Sequence, residues 1–105
     1  MLSLRMVKKG NGKVVDVSRT QPVYNISVAA ELVGVHPRTL RIYEETGLIV
    51  PARTEGNTRL FSNADIELLQ RIRFLIQEKG LNLAGVKLIL IIEEKLEIRI
   101  EDWCD

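Results

Sequence analysis

Val35-His-Pro-Arg-Thr-Leu-Arg-Ile-Tyr-Glu-Glu45 is the stretch on which the reading of this chain turns. Pro37 suits the first position of a helix, because that position needs no backbone N–H donor and the ring already holds φ at a helical value. His36 then falls at the N-cap, and Gly47 supplies a left-handed stop. Val35, just before the cap, is placed to pack on Leu40 as a hydrophobic staple. At about 100° per residue, Leu40 and Tyr43 point to one side while Arg38, Arg41 and Ile42 point to the other. Taken alone, such a helix could equally be a solvated element with an i, i+4 ion pair between Arg41 and Glu45. The flanking sequence decides.

Upstream, residues 27–33 carry Ser27 as an N-cap, the apolar residues Val28, Ala29, Leu32 and Val33, and a stop at Gly34. Two short helices joined by a tight turn at Gly34-Val-His36 make a helix-turn-helix. Downstream, Leu48-Ile-Val50 and Thr58-Arg-Leu-Phe61 are β-prone, and Glu55-Gly-Asn57 between them suits the tip of a hairpin. That hairpin is a wing and carries Arg53 and Arg59. After it, Ser62-Asn-Ala-Asp65 is a variant capping box, and Ile66, Leu69, Ile72, Leu75 and Ile76 form an apolar stripe at helical spacing. Gly80 ends that helix and Asn82 caps the next. Its apolar residues Leu83, Val86, Leu88, Ile89, Leu90, Ile91 and Ile92 are too many for one face, so part of it should meet a second chain or a partner. Beyond Leu96, the run Leu-Glu-Ile-Arg-Ile-Glu101 has strand alternation, yet Ile92, Leu96, Ile100 and Trp103 also share a helical stripe. The expected fold is mostly α with a small β-hairpin: a winged helix-turn-helix of about four helices plus a two-stranded wing.

The chain has 105 residues, 46% of them hydrophobic, and a net charge of +1. Such a length holds one small domain with a modest core. Charge is unevenly spread: the first 20 residues hold five basic side chains against one acidic, a net of +4, whereas residues 62–105 hold six basic against nine acidic, a net of −3. The acidic end should avoid a phosphate backbone. The leader is read as a loose basic tail, with Leu4 to Val7 and Val14 to Val17 as strands able to pair. No apolar run approaches the roughly 20 residues that span a bilayer, and the first 13 residues lack the features of a signal peptide, so a cytoplasmic protein without membrane contact is expected. One cysteine, Cys104, and one histidine, His36, offer no metal-ligand set, and no cofactor motif is present. Paired carboxylates in an apolar setting, a nucleophile with its base and a glycine-rich phosphate loop are all missing from the sequence, so no enzyme is implied.

The run Ile26-Ser27, Gly34-Val35, Pro37-Arg-Thr-Leu-Arg41, Tyr43-Glu44, Gly47-Leu48, Pro51-Ala-Arg53, Thr58-Arg-Leu-Phe-Ser62 and Asp65-Ile66 resembles the DNA-binding domain of the MerR family of bacterial transcription regulators. The resemblance extends from about Tyr24 to Leu90. Gly34-Val-His-Pro37 and Gly80-Leu-Asn-Leu-Ala-Gly-Val-Lys87 resemble its heat-shock repressor (HspR) branch. Where many members carry the first tyrosine of a Tyr-Tyr pair that touches a phosphate, this chain has Ile42. Members usually continue into a long coiled-coil helix and often an effector domain, both missing or reduced here.

The resemblance implies a sequence-specific repressor of heat-shock and chaperone genes that binds an inverted repeat in double-stranded DNA as a homodimer, with a DnaK-type chaperone as co-repressor. The residues assigned to DNA contact are Arg38, Thr39, Arg41 and Tyr43 on the helix and Arg53, Thr54, Asn57 and Arg59 on the wing. A guanidinium bonds guanine O6 and N7 together, and the wing cations reach the flanking phosphates. The expected organisation is a basic tail at residues 1–23, the DNA-binding domain at 24–92 and an acidic extension at 93–105 for dimer or partner contact. Glu44 and Glu45 are read as a solvated or capping helix end. The alternative is a protein-interaction module on the same fold, similar to small chaperone-modulating proteins that bind a J-domain co-chaperone and not DNA.

Overall fold

Two short helices meeting at Gly34 set the frame, and local hydrogen bonds define where each begins and ends. The computed structural model describes residues 6–8 and 14–98. Helix α2 (Ile26–Val33) is capped by Asn25, whose backbone is extended and whose side-chain oxygen accepts the Val28 N–H at 2.9 Å. Ser27, the cap expected from sequence, lies inside the first turn, because the Asn25 carbonyl already accepts the Ala29 N–H at 2.9 Å. Gly34 takes φ +85°, and the N–H groups of Gly34 and Val35 both donate to the Ala30 carbonyl, at 2.8 and 3.0 Å. The next helix, α3 (Pro37–Glu45), has Pro37 in its first turn and His36 at its cap, with Nδ1 accepting the Arg38 N–H at 3.0 Å. It closes through Thr46, whose hydroxyl donates to the Tyr43 carbonyl at 2.9 Å. Gly47 at φ +81° then lets the Leu48 N–H reach the same carbonyl at 2.9 Å.

Leu48-Ile-Val50 does not form the expected strand. Leu48 and Ile49 are both buried and Val50 is 85% exposed, whereas a pleated strand would alternate them. The turn at Gly47 feeds both side chains into the core, and the wing's first strand begins later, at β4 (Ala52–Arg53). It pairs antiparallel with β5 (Arg59–Ser62), Ala52 opposite Leu60 and Arg53 opposite Arg59. The tip closes with Asn57 at φ +66°, its N–H donating to the Thr54 carbonyl at 2.9 Å. Asparagine tolerates this left-handed turn.

The wing is larger than expected. A third strand, β3 (Pro22–Tyr24), pairs antiparallel with β5 on the side opposite β4, and the Tyr24 hydroxyl donates to Asn63 Oδ1 at 2.9 Å. Proline sits on an edge strand, where a missing N–H costs little. In the leader, β1 (Met6–Lys8) pairs antiparallel with β2 (Val14–Asp16), which corrects the loose tail expected there in favour of the hairpin that the sequence allowed. A four-residue helix α1 (Val17–Thr20) follows, and its Arg19 forms an exposed ion pair with Glu67 of the helix after the wing. Leu4 and Arg5, the first two residues of the expected leader pairing, lie outside the described residues, and Val17, its last, belongs to α1.

Helix α4 (Asn63–Gln77) starts on the expected capping box: Ser62 Oγ accepts the Asp65 N–H at 3.0 Å and Asp65 Oδ2 accepts the Ser62 N–H at 2.9 Å. Its stripe Ile66, Leu69, Ile72 and Leu75 is buried against Leu40, Tyr43, Phe61 and the small face of α2, Ala29 and Ala30. Helix α5 (Leu83–Leu96) is capped by Asn82 and adds Val86 to the same core. It ends at Leu96 because Glu97 turns left-handed at φ +55°. The helical stripe proposed through Ile92 and Leu96 therefore stops there, and Ile100, Trp103 and Cys104 lie outside the described residues. No described helix is long and apolar enough to cross a membrane.

One ion pair is buried between the last two helices, Arg71 of α4 with Glu93 of α5, both under 10% exposed. Removing one member of such a pair costs about 3–5 kcal/mol, because the remaining charge stays out of water. Glu93→Ala should therefore lower stability by about 3 kcal/mol, whereas Glu94→Ala, on the exposed side, should change it by less than about 0.5 kcal/mol. Urea unfolding followed by circular dichroism measures the difference.

Candidate nucleic-acid interface

The outward side of α3 is built by the same periodicity that buries its inner side. Leu40 and Tyr43 are 0% and 5% exposed, while Arg38, Arg41 and Ile42 are exposed and Thr39 is half-buried. Among the described residues neither Arg38 nor Arg41 has an acidic partner, and the Arg41–Glu45 pair does not form. Two guanidinium groups therefore stand free on one surface, a suitable arrangement for meeting anionic or acceptor-rich edges.

The wing arginines are held differently. Arg53 donates from one terminal nitrogen to Glu44 Oε2 at 2.8 Å and from the other to the Asn57 carbonyl at 3.1 Å. Arg59 donates from Nε to Glu44 Oε1 at 2.5 Å. Glu44 thus spends both carboxylate oxygens on the wing and locks the hairpin to the helix. This corrects the solvated or capping role expected for Glu44. The missed signal is angular: Glu44 lies between the core side chain Leu40 and the exposed Arg41, on the flank to which the wing returns. Thr54 and Asn57 are exposed at the tip, where the Thr54 hydroxyl also accepts the Thr58 N–H at 3.1 Å.

Tyr43 lies on the inward side of α3, 5% exposed, with its ring in the core. Burial pushes its hydroxyl above the ordinary value of 10.0, an effect partly opposed by the nearby Arg73 charge. Arg73 comes from α4, and its guanidinium lies 3.6–3.8 Å from where a side chain on Gly34 would begin. That separation is ordinary contact for a Cβ, so what calls for glycine at position 34 is its left-handed φ of +85°. At the far end of α3, Lys87 of α5 donates to the Thr46 carbonyl at 3.2 Å, placing a cation against the negative end of the helix. Composition and periodicity do not reveal Arg73 or Lys87, since both contacts join distant parts of the chain. Among the described residues no cluster of His, Cys, Asp and Glu could hold a metal ion.

A profile of the MerR HTH family regulatory proteins matches residues 24–91. The chain belongs to the MerR family. It is 48% identical over 81 residues to the heat shock protein HspR of Streptomyces coelicolor, covering 77% of this chain and 54% of that protein. It is 41% identical over 76 residues to the transcriptional regulator GlnR of Bacillus anthracis, covering 72% and 58%. The chain thus spans little more than half the length of these curated relatives. Among solved structures, the N-terminal part of the Bacillus subtilis multidrug transporter activator, MtaN, superposes with a TM-score of 0.60 at 40% identity, covering 65% of this chain and 64% of that one. HiNmlR, a MerR family regulator lacking the sensor domain and bound to promoter DNA, superposes with a TM-score of 0.56 at 32% identity, covering 61% and 48%. These matches agree with the expected winged helix-turn-helix and with the HspR branch of the family.

Desolvation alone would raise the Glu44 carboxyl, but hydrogen bonds from Arg59 and then Arg53, with their charges, hold it below its ordinary 4.5. A depressed carboxyl stabilises the fold fully above that ordinary value, and the contribution is lost as pH falls through the folded value. Amide hydrogen exchange at Ala52–Arg53 and Arg59–Ser62 should therefore be unchanged between pH 7 and 5, after correction for intrinsic rates, and lose protection below about 4.5. Glu44→Ala should show the faster wing exchange at every pH.

Proposed function

We propose that this chain is the DNA-binding part of a sequence-specific transcriptional repressor of heat-shock and chaperone genes, which binds an inverted repeat as a homodimer. The observation that carries the reading is the unpartnered pair Arg38 and Arg41 on the outer face of α3, beside a wing fixed to the same helix. Arg38, Thr39 and Arg41 are the base-reading candidates, because an α-helix fits the major groove and arginine pairs with guanine through two hydrogen bonds. Arg53, Thr54, Asn57 and Arg59 flank them and position the phosphate backbone, with Arg53 and Arg59 oriented by Glu44. Tyr43 supports the helix from the core side. Similarity to HspR of Streptomyces coelicolor supports the heat-shock assignment, and similarity to a regulator bound to promoter DNA supports the ligand.

Residues 24–92 form the DNA-binding unit in this reading, residues 1–23 a basic leader and residues 93–105 an extension for dimer or chaperone contact. Leu88, Ile91 and Leu96 on α5 are 58%, 44% and 60% exposed, a concentration of apolar surface suited to a second copy or to a DnaK-type co-repressor. Sedimentation should show a dimer that Leu88→Glu with Ile91→Glu dissociates; only monomer at high concentration, with and without DNA, would reject the dimer. The interaction-module alternative has less support, since the matched relatives are named as regulators and the arginine face is intact.

Alanine substitutions separate the roles. Arg38→Ala or Arg41→Ala should cost about 1–3 kcal/mol of operator binding and relax preference at one base pair. Arg53→Ala and Arg59→Ala should weaken all sequences alike, and each should reduce the salt slope by about one, the value for a single phosphate no longer neutralised. Gel-shift titrations over a salt series, on DNA from upstream of chaperone operons and on mismatched sites, make the test. Equal weakening of every sequence by Arg38→Ala and Arg41→Ala would remove them as readers, and binding untouched by all four would favour the interaction module.

A further inference from the structure

Ile42 occupies the middle of the polar face of α3. With about 100° per residue, Arg41, Arg38, Ile42 and Thr39 follow one another around the outward arc, so Ile42 lies between Arg38 and Thr39. Glu45 shares that arc one turn from Arg41. The Ile42 side chain is 41% exposed, and it lines a shallow depression with His36, Arg38 and Thr39. A single exposed isoleucine is ordinary on a protein surface. This one differs by its place, since whatever Arg38 and Thr39 touch must also meet Ile42.

We propose that Ile42, with the methyl group of Thr39, reads the 5-methyl group of a thymine and is a specificity-determining residue of this chain. The inference rests on the proposed DNA-binding reading and adds a base to it. Ile42 has no donor or acceptor on its side chain, so it gains nothing from a phosphate, and guanine, adenine and cytosine present polar atoms at their major-groove edges. Thymine alone adds a methyl group there, beside its O4 acceptor. Burying an aliphatic side chain against that methyl removes apolar surface from water on both partners. Arg38 and Ile42 are four residues apart, about 6 Å along the axis, while successive bases rise about 3.4 Å. The thymine therefore lies one or two base steps from the guanine that Arg38 reads. The same depression disfavours cytosine at that position, whose amino group would lose water without gaining an acceptor from Ile42.

The test replaces thymine by uracil, which removes the methyl and leaves every hydrogen-bonding group in place. A binding site is first selected from a random DNA library with the wild-type protein, and each thymine is then changed singly. One position should weaken wild-type binding about three- to fivefold, the loss expected for a buried methyl. Ile42→Ala should bind the thymine site that much more weakly and make no distinction between thymine and uracil there; Ile42→Val, which keeps a branched methyl pair, should retain most of the distinction. Thermal melting followed by circular dichroism checks that both variants are folded, and the wild-type uracil scan stands regardless of them. Sequence-specific binding that is indifferent to uracil at every position overturns this inference and leaves the parent reading intact. Uracil sensitivity that persists unchanged in Ile42→Ala also overturns it, because another residue then holds the methyl. Selection that yields no preferred sequence overturns the parent reading and this one with it.

Discussion

The carboxylate of Glu44 accepts hydrogen bonds from two arginines on opposite strands of the wing, and the relation between hairpin and helix depends on it. The β4–β5 hairpin is too short to hold its own position, even with β3 along its other edge. Here Arg53 and Arg59 bring the two strands to one side chain of α3, while Phe61 roots the second strand in the core. The carboxylate is shared by both guanidinium groups, and this ties wing and helix into one unit. It also divides the arginines into two kinds. Arg53 and Arg59 already have an acidic partner, and among the described residues Arg38 and Arg41 do not.

The orientation of α3 is set from behind and from its ends. Leu40 and Tyr43 seat it in the common core, and Arg73 of α4 lies beside the αL turn at Gly34, where α3 joins α2. Lys87 reaches from α5 to the carbonyl of Thr46, where the helix dipole is negative. Such contacts explain how nine residues, too few to be a stable helix in isolation, present side chains in a defined geometry. The buried pair of Arg71 and Glu93 has a related role one layer further back, fixing how α5 lies against α4. The apolar surplus of α5 is then left on the side away from that packing, at Leu88 and Ile91.

Much of this was legible in the amino-acid order, because it depends on neighbours. Pro37 and His36 start α3, Ser62 and Asp65 start α4, Asn82 starts α5, and Gly34, Gly47 and Gly80 turn left-handed near the helix ends, all through interactions spanning a few residues. The buried stripe of α4 follows from a period that the backbone imposes on any helix. Arg38, Arg41 and the wing arginines were also visible as positions. One error was equally local: Asn25 and Ser27 are both competent caps two residues apart, and only the start of the helix chooses between them.

What the tertiary structure decided is which side chains meet across distance. Leu48 and Ile49 have strand propensity, yet both go into the core, because the turn at Gly47 and the space beside α4 outweigh a preference worth about 1 kcal/mol at most. Pro22-Val-Tyr24 is only three residues long and becomes an edge strand because β5 offers an open row of backbone groups beside it. The pairing of Glu44 with Arg53 and Arg59 spans 9 and 15 residues, and that of Lys87 with Thr46 spans 41. Periodicity assigns a residue to a face, but it carries no information on what the fold brings to that face. The sequence by itself therefore determined the four longer helices, the caps of three of them and the cationic surface, and only the folded chain decided which cations were already taken.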